Sequence, residues 1–81
     1  MDQNTIYRRL KSLSFVQVGG SIRKSLVDNT PIGWNLRAPS AIRKRAVIEM
    51  LKQFIESENI PLDVVDTYKD IPHFQVKIKQ L

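Results

Sequence analysis

Apolar residues recur along this chain in two different periods, and the changes of period mark its elements. Ile6, Leu10 and Leu13 stand at i, i+4 and i+7, the spacing of one helix face, with Asp2 or Asn4 placed to cap it. Tyr7 flanks that stripe, and Arg8, Arg9 and Lys11 fall on the other side, so the helix is expected to end near Ser14. Residues 15–18 (Phe-Val-Gln-Val) are β-branched and aromatic and predict a strand. Gly19-Gly20-Ser21 is a turn signal, because glycine accepts positive φ. Residues 22–27 then read as the returning strand of a hairpin, or as a short helix pairing Ile22 with Leu26. Asp28-Asn29-Thr30-Pro31 is a second turn, and Ile32-Gly33-Trp34-Asn35-Leu36 alternates as a third strand in which Gly33 is the weak point or marks a bulge.

A stronger helical pattern opens at Ala38-Pro39-Ser40, where Pro39 suits a helix start and Ser40 a cap. Ile42, Ala46, Val47, Met50, Leu51, Phe54 and Ile55 make a broad apolar face running to about residue 58, and Asn59 and Pro61 stop it. Residues 62–65 predict a short strand and 66–73 a polar loop. From Phe74 to Lys79 the chain alternates, with Phe74, Val76 and Ile78 inward. The order α-β-β-β-α-β-β predicts an α+β fold: a small antiparallel sheet with two helices packed on one face.

With 81 residues there is room for one domain, 1–81, and a thin core. The chain has no cysteine, which excludes disulfides, thiolate metal sites and a cysteine nucleophile, and fits a reducing, cytoplasmic setting. The first residues lack a signal-peptide pattern and no apolar run is long enough for a bilayer, so no membrane partner is expected. Charge is uneven. Residues 1–48 carry nine Lys/Arg against Asp2 and Asp28, a net +7, whereas residues 49–81 carry four Lys against six acids, a net −2. That asymmetry favours a polyanionic partner.

Arg43-Lys44-Arg45 is the most informative run. Three cations at the positive end of a helix dipole are unfavourable by roughly 0.3–1 kcal/mol each, and a bound phosphate would reverse the penalty. Arg8, Arg9 and Lys11 on the first helix, and Arg23 and Lys24 beside the hairpin, give further basic patches; side-by-side helices would merge the first patch with the run at Arg43. Among the aromatics, Phe54 and Phe74 are assigned to the core, and Trp34 to the core ahead of base stacking. His73 with Asp63, Asp66 and Asp70 matches no metal spacing. No glycine-rich phosphate loop, nucleophilic triad or carboxylate pair is present, so no catalytic residue, metal or cofactor is assigned.

Two stretches carry a family likeness. Ile6-Tyr7-Arg8-Arg9-Leu10-Lys11-Ser12-Leu13-Ser14-Phe15 is a basic amphipathic helix leading into a strand, and Gly20-Ser21 follows. With the second helix, these resemble the double-stranded-RNA-binding-domain fold and, more closely, the small HicA-type toxins that share it. The resemblance implies RNA contact through basic residues at the second helix start. Ile22 stands where that toxin family has a histidine, so the likeness implies RNA binding rather than cleavage.

The expectation is therefore a non-catalytic nucleic-acid-binding domain, RNA ahead of DNA, gripping phosphate through Arg43, Lys44 and Arg45 and extended by Arg8, Arg9, Lys11, Arg23 and Lys24. The alternative is a protein-interaction module or homodimer pairing through the C-terminal strand from Phe74 to Lys79, treated as an edge that Lys77 and Lys79 protect. A third reading is a small ribonuclease in which His73, with a nearby Lys or Tyr68, does acid–base work.

Overall fold

The computed structural model describes residues 1–79. Two helices and five strands follow the expected order: α1 (Gln3–Lys11), β1 (Gln17–Val18), β2 (Arg23–Lys24), β3 (Pro31–Arg37), α2 (Lys44–Ser57), β4 (Leu62–Val65) and β5 (His73–Ile78). The strands form one antiparallel sheet with the order β1-β3-β5-β4, and β2 also pairs with β3. The fold is α+β, as the periodicity predicts.

The first helix starts where a side chain meets its free N–H groups. Asp2 Oδ1 accepts the Thr5 N–H at 2.8 Å. This bond holds the Asp2 carboxyl below its ordinary value of 3.8. The second helix begins later than Ser40. Residues 41–43 form a turn in which Ser40 Oγ accepts the Arg43 N–H at 3.2 Å, and the α-helical run starts at Lys44 with no side-chain cap. The expected apolar face keeps its centre, Val47, Leu51 and Ile55, but not its flank. Ile42 lies before the helix and is 95% exposed, Ala46 and Met50 face outward, and the buried face is Lys44, Val47, Ile48, Leu51 and Ile55. The helix closes as its last residues predict. Asn59 adopts φ 54°, its N–H reaches the Glu56 carbonyl, and the Ile60 N–H reaches the Ile55 carbonyl at 3.0 Å, which satisfies two end carbonyls and buries Ile60.

The expected hairpin between residues 15–18 and 22–27 does not form. β1 and β2 lie end to end along one edge of β3: Gln17 and Val18 face Arg37 and Leu36, while Arg23 and Lys24 face Gly33 and Pro31. Gly19-Gly20-Ser21 is therefore an interruption within one edge, not a reversal. The reversal is the second turn signal. Ser25 N–H bonds to the Thr30 carbonyl, Asp28 accepts from both the N–H and the hydroxyl of Thr30, and Asn29 takes φ 60°. Leu26 and Val27 end up in this turn, fully exposed, so residues 22–27 are neither the full strand nor the helix expected of them.

Register places the core. Leu36 faces Phe74, Trp34 faces Val76, Val64 faces Val76 and Leu62 faces Ile78, so these side chains share one face of the sheet. Ile6 and Leu10 of α1 and the apolar row of α2 join them in a single cluster. Trp34 is buried there as expected, with the Tyr7 ring tilted against it at 6.3 Å. At Gly33 the strand runs unbroken, but β5 passes so close that a Cβ would stand 1.9 Å from the Val76 carbonyl oxygen. The bulge anticipated at Gly33 lies beside it: Arg23 faces Gly33 and Lys24 faces Pro31, so Ile32 is the extra residue of β3 against β2.

Candidate nucleic-acid interface

Strand alternation that sends Trp34, Leu36, Phe74 and Val76 inward sends their neighbours outward. With both helices on one side, the other side of the sheet stays open. β3 presents Asn35 and Arg37 there, and β5 presents His73, Gln75 and Lys77 with Lys79 beyond it. Gln17 and Arg23 join by pairing with Arg37 and Gly33, and Asp63 by pairing with Lys77. The face therefore carries Arg23, Arg37, Lys77 and Lys79 against one acid, Asp63, whose carboxylate lies 3.8 Å from Lys79. At its centre Gln75 Nε2 donates to Asn35 Oδ1 at 3.1 Å. Arg37 and Lys77 bracket this amide pair. They lie on adjacent strands, offset by four positions or roughly 13 Å along the strand direction.

The sequence-based site residues are distributed differently. Arg43 and Arg45 are exposed at the start of α2, where free N–H groups add to their charge. Lys44, between them, is not available to phosphate. It is 7% exposed, and its ammonium donates to Asp66 Oδ1 at 2.9 Å, to the Tyr68 carbonyl at 2.7 Å and to the His73 carbonyl at 3.5 Å. An ammonium has three hydrogens, and here each has an acceptor. Lys44 is thus a structural tie between the α2 start and the loop before β5. Asp66, one of the acids grouped with His73 in the sequence, is that tie's counterion.

The basic patch of α1 does not merge with the run at Arg43. Arg9 reaches Glu58 at 3.6 Å, just past the end of α2, about 22 Å along the helix axis from Arg43. Its charge is met by an acid, and Lys11 lies 5.8 Å over the Tyr7 ring. Arg8 is exposed on the outer side of α1 and Lys24 on the edge of the sheet. Arg23 alone of the expected set lies on the open face. The strand from Phe74 to Lys79 is a further correction: β5 is paired with β3 on one side and β4 on the other, so it has no free edge for a partner strand. Lys77 and Lys79 do not guard an edge; they stud the open face.

Arg37, Asn35 and Gln75 were not among the residues singled out from sequence, and Lys77 was read only as edge protection. The signal was present in parity, since each is the outward neighbour of an inward apolar residue. What sequence periodicity lacks is the long-range pairing of β3 with β5 that sets the two outward rows side by side. Among the described residues no group of three His, Asp or Glu side chains is close enough to hold a metal ion. Among the same residues no helix is long and apolar enough to cross a membrane. Comparisons with protein-family models, with curated proteins and with solved structures return no match.

Proposed function

We propose that this protein binds nucleic acid through the open face of its sheet, RNA ahead of DNA, with Arg43 and Arg45 as a flanking phosphate contact. The observation that carries the reading is the asymmetry of the sheet. One face is sealed by two helices, and the other holds four cations and a central amide pair with a single acid. A flat basic surface studded with long cationic side chains suits a phosphodiester backbone, and the exchange of counterions for Lys and Arg supplies the affinity. The placing of RNA first rests on the resemblance of the Ile6–Phe15 and Gly20-Ser21 stretches to RNA-binding folds. The basic residues drawn on are Arg23, Arg37, Lys77, Arg43 and Arg45. Lys44 supports them only by fixing the loop beside the face.

Fluorescence anisotropy of labelled single-stranded RNA, double-stranded RNA and duplex DNA, titrated at several salt concentrations, tests this reading. Micromolar or tighter binding to RNA near physiological salt, weakening steeply as salt rises, is the expected result. Absence of binding to all three probes at low salt would refute it.

A further inference from the structure

The loop between β4 and β5 carries two exposed large side chains, Tyr68 and Ile71. Together with Asn35, His73 and Phe74 they line a cavity of about 340 Å³. That volume lies at the low end for small-molecule sites, which begin at roughly 300 Å³. The Lys44 ammonium holds the loop in place by bonding to the Tyr68 carbonyl and to Asp66, so the Tyr68 backbone is anchored while its side chain stays accessible. The amide pair supplies polarity beside the cavity. Asn35 and Gln75 spend one donor and one acceptor on each other. Whichever way the two amides are turned, the pair keeps an unspent carbonyl and an unspent NH2 group.

Resting on the nucleic-acid reading above, the geometry points to a single-strand ligand: one unpaired base seats in this cavity, its ring against Tyr68 and Ile71 and its edge toward Asn35 and Gln75. An aromatic ring stacks on any base, and neighbouring donor and acceptor groups match the edges that bases expose only when unpaired. Arg37 and Lys77, on either side of the amide pair, then take the flanking phosphates. A duplex keeps its bases stacked and paired, so it can use the cations but not the cavity. The ligand class is single-stranded nucleic acid, held by backbone charge plus one seated base.

The test compares wild type, Tyr68→Ala and Tyr68→Phe by anisotropy with a labelled 12-mer single-stranded RNA and a double-stranded RNA of the same length. Tyr68 is exposed, so neither variant disturbs the core, and circular dichroism checks that both are folded. Tyr68→Ala is expected to weaken single-strand binding about tenfold. Tyr68→Phe keeps the ring and should bind as wild type does, and duplex affinity should be unchanged by either. Equal single-strand affinity for wild type and Tyr68→Ala would overturn the seated-base inference while leaving the charged-face reading intact. Equal losses in Tyr68→Ala and Tyr68→Phe would also overturn it, since the hydroxyl and not the ring would be responsible. Failure of wild type to bind either RNA would remove both.

Discussion

The two faces of this sheet are built from the same strands by the same alternation, and they are put to opposite uses. On the covered face Trp34, Leu36, Phe74 and Val76 are nearly inaccessible and pack into one cluster with both helices. On the open face, one residue away along each strand, stand Asn35, Arg37, Gln75 and Lys77. The covered face accounts for the stability of a domain this small, because burial of apolar area is its main source of free energy. The open face adds little to stability, since exposed charges contribute at most about 1 kcal/mol per pair. In the proposed reading it is the recognition surface. Moving a substitution by one position should therefore exchange a folding defect for a binding defect.

Phe74→Ala tests the covered face most severely, with an expected loss of roughly 3–5 kcal/mol, close to the whole stability of a small domain. Gln75→Ala, one residue on, should leave the denaturation midpoint within about 0.5 kcal/mol of wild type. Urea denaturation followed by Trp34 fluorescence reads both. Comparable losses in the two variants would break the comparison. Gly33→Ala should also be costly, on the order of 3 kcal/mol, because its Cβ would collide with the β5 backbone at Val76.

The same contrast recurs within one tripeptide. Arg43→Ala and Arg45→Ala should shift stability by no more than about 0.5 kcal/mol. Lys44→Met keeps the stem but leaves two carbonyls and Asp66 without their donor. A loss of about 1–2 kcal/mol is expected, toward the low end because Asp66 is partly exposed and screened by water. Hydrogen exchange should show the loss concentrated in residues 66–72. If Lys44→Met proves as mild as its neighbours, the tie between α2 and the loop contributes nothing.

The smallest effect is electrostatic and lies at a helix start. The Asp2 carboxyl is held below its ordinary value mainly by the Thr5 backbone N–H, with a further contribution from the Thr5 side chain. A group whose folded value is depressed adds stability above its unfolded value and loses it as pH falls through the folded one. Wild type should therefore be slightly more stable than Asp2→Ala at neutral pH, and thermal melts should converge as pH drops below 3.8. Persistence of the difference at lower pH would show that the cap does not act through the carboxylate.

Much of the architecture was legible in periodicity because periodicity is local. The residues 62–65 strand, the Trp34 strand, the burial of Phe74 and Val76 and the stop at Asn59 all follow from neighbours a few positions apart. The errors came from non-local pairing. Two turn signals, at Gly19-Gly20-Ser21 and at 28–31, compete for one reversal, and only pairing with β3 decides between them. Lys44 reads as a phosphate-gripping cation because its counterion is 22 residues away. β5 reads as an edge because a terminal strand in sequence need not be terminal in the sheet. For the same reason the site had to be moved: its two rows of side chains meet only through the β3–β5 register.

The proposal turns on nucleic acid meeting the open face and not the basic side of α1. The most direct measurement compares two folded charge-reversal pairs in the same anisotropy titration with single-stranded RNA: Arg37→Glu/Lys77→Glu on the open face and Arg8→Glu/Lys11→Glu on α1. Each pair changes the net charge equally. The account predicts that the open-face pair loses binding by at least tenfold and flattens the salt dependence by about two counterions, while the helix pair changes affinity only modestly. Equal losses for the two pairs, or a larger loss for the helix pair, would contradict it.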